Sequence, residues 1–319
     1  MQKIFRVMII IAMLITAYLL ILAWRDDYAD APAVDAVPET TSSVGADIPS
    51  TTGAAGDIPV QTLPVDNSAV TATPAKNAGL ITVTTDRYDI KINPEGGDIV
   101  YAALKQYDAT LDSDKPFVLL ENNSNRVYVA QSGLIGQNGI DTAEGRATYS
   151  HTANNYVMED GQQTLSVPLT YKKDGVTITK TFTFTENKYP IDISYQIQNA
   201  STNAWQGQMF AQLKRDDSKD PGMSDKGALS MATYLGGAWG TPDDPYNKLK
   251  FGDFSDGELT TTSDKGWVGI VQHYFVSAWT PENFTGKFFT RETGSDYFIG
   301  FNSQPVNVAP NKQVTLNAT

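Results

Sequence analysis

Two histidines carry the only imidazole groups of this chain that could do acid–base chemistry. His151 lies in a polar stretch beside Ser150 and Thr152, and His273 alternates with Val271 and Phe275 in a strand-like run. General acid–base catalysis needs a histidine and a carboxylate that converge on one substrate. Both local contexts are typical of surface or structural histidines, so we predict no catalytic residue.

A loop rich in aspartate offers the other possible ligands. Carboxylate oxygens bind Ca²⁺, but the spacing here does not follow the EF-hand pattern. Basic residues in the same loop neutralise the acids, and we therefore predict a solvated loop without a metal. The residues concerned are Asp216, Asp217, Asp220 and Asp225 among Lys214, Arg215, Lys219 and Lys226.

Composition excludes several other classes of function. The 319 residues have a formal net charge of −12, which repels the phosphate backbone and argues against nucleic-acid binding. The chain has no cysteine, so a zinc–thiolate site, a cysteine nucleophile and a disulfide framework are impossible. The sequence contains no G-x-S-x-G, P-loop or H-E-x-x-H motif, and we expect no cofactor.

The first 25 residues predict a transmembrane anchor. Residues Val7 to Trp24 are uncharged and largely apolar, which suits a helix that crosses the hydrocarbon core. Lys3 and Arg6 precede the run and acidic residues follow Arg25, so the amino terminus is predicted to be cytoplasmic. A cleaved signal peptide is the alternative, but its apolar region would usually be shorter.

Residues 26–79 predict a disordered, flexible linker. The segment is rich in Ala, Pro, Thr and Asp, and a stretch with so few large apolar residues cannot offset its ordering entropy. Asp47-Ile48-Pro49 and Asp57-Ile58-Pro59 look alike, but two short matches do not make a repeat architecture.

From residue 80 onward the pattern is that of an all-β domain. Tyr88–Ile92 alternates apolar and polar residues, and a strong hairpin is predicted from Gln163 to Thr185 around Asp174-Gly175. Many short strands with Gly, Pro, Asn and Asp turns indicate a large antiparallel sandwich over 80–319. The chain stops within a strand pattern at Thr319, which we interpret as a truncated carboxy end.

Several segments in one order carry a resemblance to a known family. None of them is specific alone, but the ordered set is. They are LITVTTDRYDIKI from Leu80, EGGDIV from Glu95, YVAQSGLIG from Tyr128, VPLTY from Val167, TKTFTF from Thr179, GTPDDPYNKLKF from Gly240, KGWVGIVQHYFVSAWTP from Lys265 and SQPVNVA from Ser303. With the preceding span and linker, the chain resembles the amino-terminal part of the YidC family of bacterial membrane protein insertases.

The resemblance implies both a fold and a role. The family's first periplasmic domain is a β-supersandwich similar to galactose mutarotase. One transmembrane span anchors it to the inner membrane. The full protein inserts, folds and assembles inner-membrane proteins, alone or with the Sec translocon. Its insertase core lies in carboxy-terminal transmembrane helices that this chain does not include.

Partner contacts are also implied by the resemblance. In the family, part of this domain contacts the SecD–SecF complex, and the matching stretch here is approximately 231–280. Aromatic residues are enriched at binding hot spots, although core packing is an equally ordinary role for them. The partner-binding candidates are Gly236, Trp239, Pro242, Tyr246, Phe251, Trp267, Tyr274 and Trp279.

A sugar-related function is the alternative hypothesis, because mutarotase-like folds include sugar enzymes. A membrane-tethered carbohydrate-binding or sugar-isomerising protein would place His151 or His273 within hydrogen-bond reach of a carboxylate in a cleft. Segment 214–227 departs most from the family pattern, so partner contacts carried over near it are least secure.

Overall fold

The computed structural model describes most of the chain beyond residue 78. The described residues are 13, 16, 18, 57–59, 79–110, 113–220, 234–255 and 259–319. Met13, Thr16 and Tyr18 are helical, but the rest of the predicted anchor lies outside the described residues. Within the described part of the chain, no helix has the length and apolar character needed to cross a membrane.

The described domain is built almost entirely from strands, which confirms the all-β prediction. The strands are β1 (Ile81–Thr84), β2 (Tyr88–Asn93), β3 (Asp98–Asp108), β4 (Pro116–Asn123), β5 (Arg126–Ile135), β6 (Asn155–Val157), β7 (Thr164–Lys173), β8 (Val176–Thr185), β9 (Ile191–Asn199), β10 (Trp205–Arg215), β11 (Gly236–Gly240), β12 (Asn247–Leu249), β13 (Thr262–Ser263), β14 (Trp267–Val271), β15 (Val276–Trp279), β16 (Pro281–Glu282), β17 (Gly286–Thr293), β18 (Asp296–Ser303), β19 (Val306–Val308) and β20 (Lys312–Ala318). One 3₁₀ helix, Phe251–Asp253, follows β12.

The largest sheet has 11 strands. Its order is β13-β17-β18-β10-β5-β4-β3-β2-β1-β6, and β19 pairs with β10 beside this path. Every pairing is antiparallel except that of β1 with β6. Five of these pairings join strands that follow each other in sequence: β1–β2, β2–β3, β3–β4, β4–β5 and β17–β18.

A second sheet of five strands packs against the first. Its order is β16-β20-β9-β8-β7. Apolar side chains from both sheets form one core cluster, including Ile90 and Leu134 from the large sheet and Val167, Phe182 and Ile197 from the smaller one. Two sheets that share one core in this way form the predicted sandwich.

The predicted hairpin is the connection between β7 and β8. Lys173 pairs with Val176, so Asp174 and Gly175 alone form the turn. Both have positive φ, 50° and 79°, as a two-residue hairpin turn requires. The apolar faces that we predicted point into the core, because Val167, Ile178 and Phe182 are fully buried.

A third sheet of four strands carries four of the eight partner-binding candidates in its strands. Its order is β12-β11-β14-β15. Val268 and Ile270 of β14 are buried in the main core, and β14 lies against β10 and β18. This small sheet is therefore packed against the rest of the domain, and loops lie at both of its ends.

Candidate partner-binding surface

The four-stranded sheet does not bring all the predicted partner residues to one surface. Gly236 and Trp239 lie in β11, Trp267 begins β14 and Trp279 ends β15. Pro242 and Tyr246 lie between β11 and β12, Phe251 lies in the 3₁₀ helix, and Tyr274 lies in the β14–β15 turn. The eight residues divide into a buried group and two exposed ends of the sheet.

The buried group serves packing. Trp279 is 5% exposed, and Gly236 is packed so closely that a Cβ there would lie 2.7 Å from the Tyr234 hydroxyl. Trp239 is half-buried against the main core. The half-buried ring of Phe251 stacks on Tyr297 with a centroid distance of 4.7 Å. These side chains fix the sheet to the domain and offer little surface to a partner.

One exposed end lies at the start of β14. Tyr246 is 49% exposed and stacks on Trp267, with 6.1 Å between ring centroids. Pro242 is exposed in the same connection. This end presents a single stacked pair of aromatic rings.

The other end carries the larger apolar surface. Tyr274 is 81% exposed and Val276 is 55% exposed, and both flank Phe275 in the β14–β15 turn. Tyr107 of β3 is 44% exposed, and its ring centroid lies 5.2 Å from that of Phe275. We call Tyr107, Tyr274, Phe275 and Val276 the β14–β15 surface. Exposed aromatic and apolar side chains grouped in this way are typical of protein-binding sites.

Aromatic rings beneath this surface hold it in place. Phe117 lies 4.5 Å from Phe275 between centroids, and Tyr189 lies 6.1 Å from Tyr107. Tyr189 in turn makes an edge-to-face contact with Tyr88 at 5.6 Å. Sequence reasoning found Tyr274 but missed Tyr107, because β3 meets the turn only in the folded domain. It also missed Val276, although this residue lies only two positions from Tyr274.

A buried ion-pair network also supports the turn, and it corrects the predicted solvated loop. Arg215 is fully buried and donates to Asp220 at 2.7 Å, and Arg126 lies 3.5 Å from the same carboxylate. Gln272, which immediately precedes the β14–β15 turn, also donates to Asp220. The prediction of a solvated loop was wrong for Arg215 and Asp220. Arg215 is the last residue of β10 and still points inward, and there it binds Asp220.

Tyr128 lies between the two guanidinium groups of this network. Its ring centroid is 4.9 Å from Arg215 Cζ and 5.4 Å from Arg126 Cζ. Burial raises the pKa of the Tyr128 hydroxyl to about 12. The ring therefore stays neutral, and cation–π contacts help to hold both buried cations. The described residues of this loop include no group of three or more ligands arranged for a metal ion.

A second set of buried charges joins the two sandwich sheets. Lys180 of β8 is fully buried and donates to the carbonyls of Gly96, Gly97 and Ser132 at 3.2, 2.7 and 3.1 Å. Arg146 binds Asp98 and Asp141, each at 2.9 Å. Both cationic side chains here contact backbone carbonyls or carboxylates, an arrangement that suits a structural role.

Burial changes the proton affinity of these groups. Loss of solvent lowers the pKa of Lys180 to about 7, although the negative charge of Asp98 opposes the shift. Burial likewise raises the pKa of Asp98, which Arg146 partly offsets. Strongly shifted pKa values also occur in active sites, but here the three ammonium hydrogen bonds all end on main-chain carbonyls.

The two histidines do not form a pair. The His151 ring lies 3.1 Å from the carbonyl of Ala153, beside the bridge between Ser150 and Thr170. His273 is exposed in the β14–β15 turn and contacts the ring of Tyr274 at 3.9 Å. His151 therefore lies next to a residue paired with β7, and His273 lies between β14 and β15.

Two pockets on the described domain are smaller than most small-molecule sites. One of about 270 Å³ lies over β17 and β18, and another of about 220 Å³ lies between β8, β9 and the carboxy-terminal strands. Small-molecule sites usually enclose about 300–1,000 Å³. Neither pocket is lined by His151 or His273.

Comparison with known protein families shows which family the chain belongs to. Residues 80–319 match the family described as the YidC periplasmic domain. The chain belongs to this family. It is 41% identical over 97% of its length to the membrane protein insertase YidC of Marinomonas sp. (strain MWYL1). It is 39% identical over 97% of its length to that of Ectopseudomonas mendocina (strain ymp). The resemblance inferred from the ordered segments is thereby confirmed.

The chain spans little more than half the length of these YidC relatives. It covers 56% of the Marinomonas protein and 58% of the Ectopseudomonas protein. The family match itself begins at residue 80, where the strand pattern begins in the sequence.

Solved structures similar to this chain include galactose mutarotase-like proteins. That of Lactobacillus casei ATCC 334 has a TM-score of 0.46 and 10% identity, covering 76% of this chain and 99% of its own. A putative aldose 1-epimerase from Escherichia coli K12 has a TM-score of 0.41 and 8% identity, covering 75% and 97%.

Proposed function

We propose that this chain is the membrane-anchored periplasmic part of a membrane protein insertase and acts there by binding proteins. Membership of the YidC periplasmic family and the names of the relatives support this role. The observation that most supports this role is the exposed β14–β15 surface, which aromatic rings and a buried ion-pair network hold in place. An acidic, cysteine-free domain with these features is suited to protein contacts without chemistry.

The proposed location follows from the sequence and the family. The apolar run over 7–24 would anchor the chain in the bacterial inner membrane, with the strand domain in the periplasm. The insertase activity itself would belong to the part of the relatives that this chain does not cover.

The proposed partners are SecD–SecF, other components of the Sec translocon and nascent inner-membrane proteins. Among the aromatic candidates, Tyr274 is the most exposed, and it lies in the β14–β15 surface. Tyr246 and Trp267 lie at the opposite end of β14 and would contribute less. Gly236, Trp239, Phe251 and Trp279 would support the surface indirectly, and Pro242 would lie outside it.

A binding titration tests the proposal. The full chain, anchored in lipid nanodiscs, is titrated with purified SecD–SecF, and the dissociation constant is measured by fluorescence anisotropy. We expect Tyr274→Ser to weaken binding at least tenfold, because exposed aromatic anchors contribute about 2 kcal/mol or more at hot spots. Tyr246→Ser is the matched control and should change binding less than threefold. Equal effects of the two substitutions, or no binding by the unaltered chain, would contradict the proposal.

A further inference from the structure

Three residues from the predicted linker lie on the outer face of the large sheet. Asp57 is half-buried, and Ile58 and Pro59 are buried, with Ile58 only 7% exposed. The prediction of a disordered linker is therefore wrong for these residues, and the remainder of 26–78 lies outside the described residues. The physical reason is a specific set of contacts with β5, β10, β17 and β18.

The side chain of Asp57 is recognised by charge and by an amide. Lys214 of β10 donates to Asp57 Oδ1 at 2.7 Å, and Gln131 of β5 donates to Oδ2 at 3.2 Å. Arg291 of β17 is near enough that the negative charge of Asp57 acts on its pKa, which burial lowers. Lys214 also pairs with Asp296 Oδ2 at 3.1 Å, so its ammonium group lies between two carboxylates, one of which Asp57 supplies.

The main chain of Asp57 is recognised as well. Gln212 of β10 donates its amide to the Asp57 carbonyl, and the same amide donates to Gln131 Oε1 at 2.9 Å. Gln131 donates to Asp98 Oδ2 at 3.1 Å, so one polar chain runs from the interior charges to the segment. Gln131 and Gln212 are 4% and 0% exposed. Buried amides need such partners, and Asp57 supplies them.

The apolar part of the segment fits an apolar floor. Ile58 packs with Ile135 of β5 and Phe210 of β10 in a small cluster separate from the main core. Pro59 forms one wall of the pocket of about 270 Å³, whose other walls include Phe289 and Asn302. Without the segment, Ile135 and Phe210 would be apolar side chains on an open sheet face.

We propose that this face is a binding site for an extended acidic–aliphatic–proline peptide, and that its occupant is the chain's own Asp57-Ile58-Pro59. Lys214 and Gln131 bind the acid, and Ile135 and Phe210 contact the aliphatic side chain. The proline lies beside β17 and β18, with which it lines one pocket. A tripeptide held mainly through side chains and one carbonyl is exchangeable for another of the same type. Attachment to the same chain favours the internal segment, because a tethered ligand has a high effective concentration.

The chain itself contains a second sequence of this type, Asp47-Ile48-Pro49. The similarity between the two tripeptides, too short to define a repeat, matters here because both satisfy the three requirements of the site. A titration of the site with an added peptide must therefore disable both internal copies.

Methyl NMR on the full chain in lipid nanodiscs tests occupancy first. With isoleucine δ1-methyl labelling, we expect a nuclear Overhauser effect between Ile58 and Ile135 in the unaltered chain. We expect Lys214→Met to weaken this effect at least threefold, whereas Lys312→Met, at an exposed lysine of β20, leaves it unchanged. Absence of the effect in the unaltered chain, or its persistence in Lys214→Met, would overturn the proposal. Resonances of Ile178 and Ile193 in the main core report whether each variant is folded.

A peptide titration then tests specificity. The full chain with Ile48→Ser and Ile58→Ser is titrated with a peptide of the sequence GAAGDIPVQ, taken from residues 53–61. We expect saturable shifts of the Ile135 methyl and at least tenfold weaker binding of GAAGNIPVQ, which lacks the carboxylate. No saturable shift, or equal binding of the two peptides, would overturn the assignment of the site. Neither result depends on SecD–SecF, so the proposed function is tested separately.

Discussion

The hydroxyl of Tyr195 lies between the two sandwich sheets, 3.0 Å from Ser132 Oγ. Burial raises its pKa well above the ordinary value of 10.0. The unfolded chain therefore loses this proton at a lower pH than the folded chain does. The stabilisation is complete below pH ~10 and is lost as pH rises from there toward the folded pKa.

Tyr195→Phe should therefore change alkaline stability. We expect the free energy of unfolding to fall less steeply above pH ~10, by up to about 1.4 kcal/mol per pH unit for one tyrosine. At pH 7 the variant should lose only about 1 kcal/mol with the hydrogen bond. Urea unfolding at several pH values measures both effects. Tyr246→Phe, at the exposed end of β14, is the control, and identical slopes for both variants would refute the expectation.

Lys180 is the other residue whose burial has a measurable consequence. Lys180→Met replaces the side chain by an apolar one that is one atom shorter, and it leaves the carbonyls of Gly96, Gly97 and Ser132 without this donor. It also leaves Asp98 and Asp141 with one fewer neighbouring cation. We expect the free energy of unfolding to fall by about 3 kcal/mol, as when one partner of a buried charge network is removed.

The control for Lys180 is the exposed Lys172 of β7. Lys172→Met should change the free energy of unfolding by no more than about 0.5 kcal/mol. Chemical denaturation of both variants measures the difference. If Lys180→Met were as mild as Lys172→Met, the ammonium group would have no structural role in joining the sheets.

At the scale of elements, the β7–β8 hairpin depends on its turn. Gly175 has φ of 79°, and a Cβ there would lie 3.1 Å from Ser201 Cα. Gly175→Ala should lower the free energy of unfolding by about 1–2 kcal/mol, because positive φ and crowding both oppose a side chain. Gly161 has a similar φ of 81° with nothing near its Cβ position. Gly161→Ala should therefore cost less in thermal denaturation, and the reverse order would contradict the argument.

Local pattern was enough to predict these elements. The hairpin from Gln163 to Thr185 was predicted in its strands, its turn and its buried face, since alternation and an Asp-Gly turn are local signals. The structural role of Lys180 was missed. Alternation locates the inward face of a strand, but it does not show which hydrogen-bond acceptors lie opposite that face. Those acceptors, Gly96, Gly97 and Ser132, come from two distant parts of the large sheet.

The same limit explains the other differences between sequence and structure. Arg215 occupies the inward register of β10 together with Met209 and Leu213, and this parity was the available signal for its burial. The exposed β14–β15 surface and the Asp57 site each combine strands that are far apart in sequence. Contacts of that kind depend on sheet order, which short-range patterns do not determine.

At the scale of the whole molecule, buried charges stabilise the sheets of the described domain, and exposed side chains form a candidate binding surface. A two-sheet sandwich carries buried ion pairs that fix its parts, and a small third sheet presents apolar side chains outward. The described residues place His151 next to Ser150, which pairs with β7, and His273 in the exposed β14–β15 turn. The central claim is that the domain acts through protein contacts at the β14–β15 surface.

Site-specific photocrosslinking in living cells tests this claim most directly. A benzophenone amino acid replaces Tyr274, Tyr246 or Lys172 in the full-length protein, and crosslinked partners are identified by mass spectrometry. We predict adducts with SecD, SecF or newly made inner-membrane proteins at position 274, at least fivefold above those at 172 and 246. Equal yields at the three positions, or no such adduct at 274, would contradict the account.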